Sequence, residues 1–272
     1  MKKFFIAGVL GIIIILIGIG VILGNMKKDE GPKDDWDYIK SKGELIIGMQ
    51  YLAPINYIDN NGKHVGFDKD FAEALTKKLG IKAVFQEVDW DAKEIELNAK
   101  NIDCIWNATG ITEERAKNMD FSIPYINNAK VVVTRIEDKD KYNSKQDFAG
   151  AIIAVNQGSI SEKIARTYDL FSLANIVVVD VQSKSFMEVA TKTADLTIVD
   201  YVTSTGYFIE KSNFNNLAIA RELKEEEYVC GIAFRKGSPE TVRVVNKAIE
   251  ELKADGTLKA IFEKYDLADI LL

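Results

Sequence analysis

The sequence is poor in the residues that build metal sites, with one histidine and two cysteines among 272 residues. Cys104 and Cys230 are far apart, so neither a CxxC pair nor an HExxH motif can form. We therefore expect no metal site and no cofactor. His64 follows a polar Asn-Asn-Gly-Lys segment and is interpreted as an exposed turn residue, which leaves little for nucleophilic catalysis of the Ser-His or Cys-His type.

Basic residues are fewer than acidic residues. Lys and Arg number 35 against 41 Asp and Glu, giving a net charge of -6. Binding to nucleic acid needs a basic face, so we expect no nucleic-acid partner, and an anionic membrane surface is not favoured. The hydrophobic fraction of 47% is enough for one large core or two modest ones.

One long hydrophobic run is present, at residues 4–24, and its 21 residues are all uncharged. As a helix this run would cross about 30 Å of hydrocarbon. It is longer than the apolar region of a cleaved signal peptide and lacks an Ala-x-Ala cleavage site. We predict that residues 1–27 are an uncleaved membrane anchor, with a cleaved signal segment as the alternative, and that the charged residues 28–35 are a flexible linker.

From Trp36 onward the pattern of apolar strands alternating with amphipathic helices predicts an α/β fold. Asp68 is predicted to cap a helix that ends at Gly80. Ser185, with Glu188 three residues later, is predicted to cap another helix.

The stretch at residues 101–125 carries the first candidate binding residue. Cys104, Ile105 and Trp106 have the apolar character of a buried parallel strand. Thr112 is predicted to cap the next helix, which places Arg115 near the carboxyl end of that strand, where open α/β sheets bind ligands. A guanidinium there suits a planar carboxylate. The alternative is a surface helix with solvated charges.

Two further positions follow predicted strands in the same way. Ser159 and Glu162 have the spacing of a capping box, and the backbone N–H groups of such a helix start can face an anion. Asp200 ends the predicted strand at residues 195–199. For both residues, helix capping without a ligand is the alternative.

Seven segments in this order resemble the polar amino-acid family of extracellular solute-binding proteins that serve ABC importers: GELIIGMQYLAPINYIDNNGKHVGFDKDFAEALTKKLGIKAVF, WDAKEIELNAKNIDCIW, GITEER, MDFSIPY, AVNQGS, ADLTIVD and GIAFRKGS. The resemblance implies a two-lobed periplasmic-binding-protein-like fold (type II), here preceded by an N-terminal transmembrane helix. Lobe 1 would comprise residues 36–127 plus 226–272, and lobe 2 residues 128–225. Two extended crossings between the lobes would act as hinges.

The resemblance also implies roles for site residues. Arg115 would bind the carboxylate of an amino acid, Asp200 its ammonium, and Ser159 with neighbouring amides would add donors. Trp90 would pack on the ligand side chain, with a core aromatic as the alternative. Asn107 would help shape the pocket.

The sequence departs from the family pattern at three places. Relatives commonly have a hydroxyl residue at the position of Gly110, whereas here Thr109 comes one place earlier. Ile160 stands where relatives often have Thr. Leu52 stands where an aromatic is expected near Ala53-Pro54, and Tyr51 and Tyr57 are the candidate replacements.

The function implied is that of a monomeric, membrane-anchored solute-binding protein that captures a polar amino acid on the extracellular side of the cell membrane and delivers it to ABC permease subunits. Asn25 follows the hydrophobic run where lipoprotein relatives have a lipidated cysteine. The alternatives are a cyclohexadienyl dehydratase-like enzyme, which would need a buried acid of raised pKa, and a ligand sensor for a signalling receptor. Family topology puts Cys104 and Cys230 on neighbouring strands of lobe 1, so a disulfide and two buried thiols both stay open.

Overall fold

The computed structural model describes residues 35–204 and 214–272. The predicted anchor at residues 1–27 and all but the last residue of the predicted linker lie outside the described residues. Within the described ranges, no helix combines the length and the apolar character needed to cross a bilayer.

The helices of the described residues connect the strands of two sheets. They are α1 (Asp35–Lys42), α2 (Phe67–Leu79), α3 (Lys93–Asn98), α4 (Glu113–Asn118), α5 (Ile160–Thr167), α6 (Gln182–Ala190), α7 (Tyr201–Ser204), α8 (Pro239–Ala254) and α9 (Thr257–Lys264). Short 3-10 turns lie at Ile136–Asp138, Lys145–Phe148, Asp169–Phe171 and Ala268–Ile270.

The strands range from two-residue segments to a fourteen-residue strand. They are β1 (Glu44–Met49), β2 (Tyr57–Ile58), β3 (His64–Val65), β4 (Lys82–Glu87), β5 (Cys104–Ile105), β6 (Met119–Phe121), β7 (Ile126–Arg135), β8 (Ile152–Asn156), β9 (Asn175–Val179), β10 (Leu196–Asp200), β11 (Leu217–Cys230) and β12 (Ala233–Arg235).

The first sheet has the strand order β4-β1-β5-β12-β6. Strand β1 pairs in parallel with β4 and β5, while β12 runs antiparallel to β5 and β6. Apolar side chains of α2 and α8 cover this sheet, with Phe71, Leu75 and Ile249 fully buried in the core. Proline at the first position of α8 has the fixed φ that a helix start requires.

The second sheet has the order β11-β7-β10-β8-β9. Strands β8, β9 and β10 are parallel neighbours, and β7 pairs antiparallel with both β10 and β11. Its two faces are buried in separate cores, one around Phe148 and Ile153 and the other around Val133 and Phe186. We refer to the bodies built around the first and second sheets as lobe 1 and lobe 2.

Strands β7 and β11 run side by side at the junction of the lobes. Cys230 pairs with Ile126 at one end, and Leu217 pairs with Arg135 at the other. The register shifts between Leu223 and Tyr228, so the pairing is irregular where the chain passes between lobes.

Several local predictions hold. Thr112 accepts a hydrogen bond from the backbone N–H of Arg115 as the N-cap of α4, and Gly80 ends α2 in the left-handed conformation at φ 70°. Asp200 is the last residue of β10. The Asp59 carboxylate accepts from the N–H groups of Asn61 and Lys63, which closes the predicted turn.

Three other predictions are wrong. Asp68 is the second residue of α2 rather than its cap, because the helix already begins after Gly66. Ser185 lies inside α6, where its hydroxyl donates to the Gln182 carbonyl. His64 is half-buried in β3, with its ring edge-on to Tyr51 and Phe85.

The cysteines are both free and buried. Cys104 on β5 pairs with Phe234, whereas Cys230 pairs with Ile126 and Gly110. The residue opposite Cys104 is Phe234, and Cys230 precedes Phe234 by four residues. The strand register therefore does not place the two thiols opposite one another. A disulfide requires Cα atoms within about 7 Å, and the register explains why none forms.

Candidate functional site

Arg115 enters the site from the first turn of α4. The residue is 9% exposed, and Nη1 donates to the Gly110 carbonyl at 3.0 Å. Burial lowers the pKa of the guanidinium, although Glu94 and Asp200 act in the opposite direction. A guanidinium has five N–H groups and keeps its charge in proteins, so Arg115 retains donors for a carboxylate.

Ser159 reaches the site from lobe 2 as the N-cap of α5. Its Oγ accepts from the Glu162 N–H at 3.1 Å and donates to the Asn156 carbonyl at 2.6 Å. The Glu162 carboxylate accepts from the Gly158 N–H instead of closing the box on Ser159. Half of the predicted capping box is therefore present, and the hydroxyl is already engaged within the protein.

Asp200 comes from the carboxyl end of β10, where it pairs with Lys130 of β7 in the antiparallel register. The Lys130 ammonium lies 2.5 Å from Asp200 Oδ1, and the Tyr228 hydroxyl donates to the same oxygen. The Lys130 side chain is only 3% exposed. Backbone pairing thus fixes an ion pair at this end of the site.

These residues line a cavity with about 440 Å³ of empty space, counting its mouth. Its lining comes from both lobes and is mainly polar: Gln50, Leu52, Ile55, Trp90, Asn107, Ala108, Gly110, Arg115, Lys130, Asn156, Ser159, Ile160, Gln182, Asp200 and Tyr228.

Six of the eight predicted ligand-binding residues line this cavity, namely Trp90, Asn107, Gly110, Arg115, Ser159 and Asp200. Two predicted residues do not. Tyr51 is 40% exposed and packs edge-on to His64 at 5.5 Å between ring centres. Thr109 is buried, and its Oγ1 accepts from the Asn107 N–H. This hydroxyl therefore stabilises the loop at residues 107–109 and does not line the cavity.

The surroundings of Gly110 leave no space for a side chain at this position. A Cβ there would lie 2.7 Å from Ile160 Cδ1 and 2.8 Å from the Tyr228 ring. The space of the hydroxyl expected from the family pattern is thus filled by carbon atoms of Ile160, from the opposite side of the cleft, and of Tyr228, from the crossing strand β11.

Sequence reasoning missed five polar or aromatic lining residues, which are Gln50, Lys130, Asn156, Gln182 and Tyr228. A signal existed for two of them, because Gln50 directly follows β1 and Asn156 ends β8, and carboxyl ends of parallel strands form ligand sites. Lys130 had a weaker signal as a lone charge next to the apolar run Val131-Val132-Val133.

Hydrogen bonds to buried polar groups stabilise the loop that contains Asn107 and Ala108. The Asp68 carboxylate accepts from the Ala108 N–H at 2.6 Å and from the Tyr125 hydroxyl at 2.9 Å. Asn56 Nδ2 donates to Asn107 Oδ1 at 2.7 Å. Complete burial raises the pKa of Asp68 to about 7.

Lys93 joins the lobes beside the cavity. Its ammonium donates to the Trp90 carbonyl at 2.7 Å and, across the cleft, to the Gly158 carbonyl at 3.3 Å. The ammonium also lies 5.0 Å from the centre of the Trp90 ring. Burial, together with the nearby Arg115 charge, lowers the pKa of Lys93 to about 8.

Other contacts also cross the cleft. Gln157 Nε2 donates to Asp91 Oδ2 at 3.0 Å, and Asn156 Nδ2 donates to Gln50 Oε1 at 3.3 Å. Lys163 pairs with Glu114 at 2.5 Å. These contacts join the segment at residues 156–163 of lobe 2 to lobe 1.

In residues 35–204 and 214–272, no group of three or more His, Cys, Asp and Glu side chains is arranged to hold a metal ion.

The match to a family model covers most of the chain. Residues 45–268 match the bacterial extracellular solute-binding proteins, family 3. The chain is 32% identical over 249 residues to the L-cystine-binding protein TcyA of Bacillus subtilis (strain 168), which covers 90% of each protein. The chain belongs to this family, and the resemblance seen in the sequence is confirmed.

Solved structures show the same two-lobed fold. An ancestral arginine-binding protein bound to arginine is 34% identical with a TM-score of 0.76, covering 82% of this chain and 98% of that one. The ancestral amino acid-binding protein AncCDT-1, described as a precursor of cyclohexadienyl dehydratase, is 30% identical with a TM-score of 0.76, covering 84% and 98%. The predicted periplasmic-binding-protein-like fold is confirmed for the described residues.

Proposed function

We propose that this chain captures a free amino acid between its two lobes and delivers it to an ABC importer. The observation that carries this proposal is that Arg115 from lobe 1 and Asp200 from lobe 2 line one cavity. An amino acid presents a carboxylate beside an ammonium, so it matches a guanidinium and a carboxylate held on opposite walls. Family membership supports the same role.

In this proposal Arg115 binds the ligand carboxylate, and the backbone N–H groups at the start of α5 add donors from lobe 2. Asp200 Oδ1 already accepts from Lys130 and Tyr228, so the ligand ammonium is assigned to Oδ2. Trp90 and Asn107 contact the rest of the ligand.

Binding rather than catalysis is proposed. A dehydratase would need an acid of raised pKa at the substrate. Asp68 has a raised pKa, but its two oxygens accept from Ala108 N–H and the Tyr125 hydroxyl, so it supports the loop from outside the cavity. Among the described cavity-lining residues the one carboxylate is Asp200, which is held by Lys130 and Tyr228.

The full chain, purified in detergent, tests this function when it is incubated with a mixture of the protein amino acids and cystine. After washing and denaturation, mass spectrometry of the released small molecules should find one amino acid, chemically unchanged and near one equivalent. Recovery of no amino acid, or turnover of added prephenate or arogenate, contradicts the proposal.

We further propose that the protein acts as a monomer held at the extracellular face of the cell membrane by residues 1–27. The uncharged run at residues 4–24 and the absence of a lipidation cysteine after it support an uncleaved anchor. Intact-mass measurement of membrane-extracted protein should give a chain that retains this segment. A mature N-terminus near Asn25 or Lys27 would instead identify a cleaved signal segment.

A further inference from the structure

The charged groups that line the cavity are two cations and one anion: Arg115, Lys130 and Asp200. The proposed ligand carboxylate offsets Arg115, and Asp200 is shared between Lys130 and the ligand ammonium. A ligand with a neutral side chain therefore leaves one excess positive charge in the cavity, and a cationic side chain would leave two. Arg115 and Lys130 are both buried, so such an excess is screened less than it would be at an exposed surface.

Each of the two aromatic rings that line the cavity already has a lysine ammonium of the protein close to it. The Lys93 ammonium lies 5.0 Å from the Trp90 ring centre, and the Lys130 ammonium lies 5.2 Å from the Tyr228 ring centre. Cation–π attraction is one way to hold a ligand cation. At these rings, a second cation would be repelled by a lysine a few ångströms away.

The adjoining cavity supplies no better partner for a ligand cation. It contains the carboxylates of Glu94, Glu114 and Glu162. Glu114 is paired with Lys163 at 2.5 Å, and Glu162 with Arg166 at 3.0 Å.

Glu94, the remaining acid of that cavity, acts electrostatically on both Lys93 and Arg115. This carboxylate therefore has two cationic neighbours from the protein itself.

From this arrangement we propose that the site selects amino acids with an uncharged or acidic side chain and excludes those with a cationic side chain, and that Lys130 is a specificity-determining residue. The inference rests on the proposed amino-acid binding function. The fold alone does not impose this choice, since the similar ancestral protein was solved with arginine bound. The exclusion comes from Lys130 and Lys93.

Matched ligand pairs test the inference, because they differ in charge and little in size. Arginine is compared with citrulline, and ornithine with glutamine, by calorimetric titration of the full chain in detergent at pH 7. In each pair whose neutral member binds, we expect the cationic member to bind at least about tenfold more weakly. Equal affinity for both members of either pair would overturn the inference while leaving amino-acid binding intact.

Variants then assign the effect to Lys130. Lys130→Gln should reduce the arginine-to-citrulline ratio of dissociation constants by at least about fivefold, whereas Lys130→Arg, which keeps the charge, should preserve it. Lys192→Gln removes an exposed lysine outside the cavity and should leave the ratio unchanged. A ratio that is the same in Lys130→Gln and Lys192→Gln would remove Lys130 from the explanation.

The outcomes separate this inference from the function on which it rests. If none of the four probes binds the parent chain and no amino acid co-purifies, the proposed function itself fails. If none of the probes binds but an amino acid co-purifies, an uncharged or acidic side chain on that amino acid supports the selectivity and a cationic one overturns it. If the neutral probes bind and the cationic probes bind equally well, only the selectivity fails. The comparison within the parent chain does not depend on any variant folding.

Discussion

At position 110 the pocket wall depends on two neighbouring side chains, Ile160 from across the cleft and Tyr228 from the crossing strand β11. Ile160 and the Tyr228 ring fill the volume that a Cβ would need, so the departures from the family pattern at Gly110 and Ile160 belong together. This apolar contact replaces a hydroxyl donor. Ligand recognition here consequently relies more on Arg115 and on backbone N–H groups.

Asp68 makes the stability of lobe 1 dependent on pH. Burial raises its pKa from the usual 3.8 to about 7, so between these values the folded chain binds a proton more tightly than the unfolded chain. The Asp68 contribution to the free energy of unfolding is therefore lost as pH rises from about 4 to about 7. Asp68→Asn removes this titration.

From pH 5 to pH 8 the parent should lose roughly 2 to 3 kcal/mol of unfolding free energy that Asp68→Asn does not lose. The difference in unfolding free energy between variant and parent should therefore shift by this amount in favour of the variant. Urea unfolding at both pH values measures the difference. Asp140→Asn, at an exposed carboxylate, serves as the control and should show no such gain. A pH-independent difference for Asp68→Asn would mean that the buried carboxylate is ionised at both pH values.

Ser159 is expected to contribute more to folding than to binding. Its hydroxyl caps α5 and donates to the Asn156 carbonyl, and the backbone N–H groups of the helix start survive its removal. Ser159→Ala should cost about 1 kcal/mol of stability and weaken amino-acid binding by less than about tenfold. Denaturant melts and calorimetry together test this, and a much larger affinity loss would assign the hydroxyl directly to the ligand.

At the scale of elements, the sequence predicts strands reliably and helix starts only in part, since the caps at Thr112 and Ser159 are confirmed while those at Asp68 and Ser185 are not. The apolar strand before Arg115 and the cap at Thr112 were predictable because an apolar run and a capping residue adjoin. Ser185 failed because the S-x-x-E spacing also fits a serine one turn inside a helix. Asp68 failed because an acid in the first turn and an N-cap acid look alike in sequence.

The ion pair at Asp200 could not be predicted in the same way. Lys130 meets Asp200 only through the antiparallel register of β7 and β10, and the two residues are 70 positions apart. Register between distant strands depends on the whole sheet. Local patterns therefore found the carboxylate but missed its protein partner.

The strand register also predicts the thiol chemistry. Cys104 and Cys230 face different partners and are both buried. Without reductant, we expect a maleimide reagent to label neither thiol in the folded chain and both in denaturant. Labelling of fewer than two thiols in denaturant would indicate a disulfide and a different register.

At the scale of the whole molecule, contacts across the cleft hold the lobes together, among them those of Lys93, Gln157 and Lys163. These contacts are few and partly exposed, and exposed ion pairs contribute little. A ligand that bridges Arg115 and Asp200 can therefore shift the balance between open and closed forms.

Small-angle scattering of the detergent-solubilised chain should show a smaller radius of gyration with the co-purified amino acid than without it, since the ligand favours the closed form. Arg115→Ala should show no such compaction at the same ligand concentration. An unchanged radius in the parent would indicate that the two lobes do not share one ligand.

The most direct test of the account is calorimetric titration of the parent and Arg115→Ala with the co-purified amino acid, after a thermal melt shows that both are folded. Removing one member of a buried charge pair costs about 2 to 5 kcal/mol, so affinity should fall at least about 30-fold. Arg243→Ala, at an arginine that pairs with Glu240 outside the cavity, should bind like the parent. Equal affinity for the parent and Arg115→Ala would contradict binding of the ligand carboxylate by Arg115.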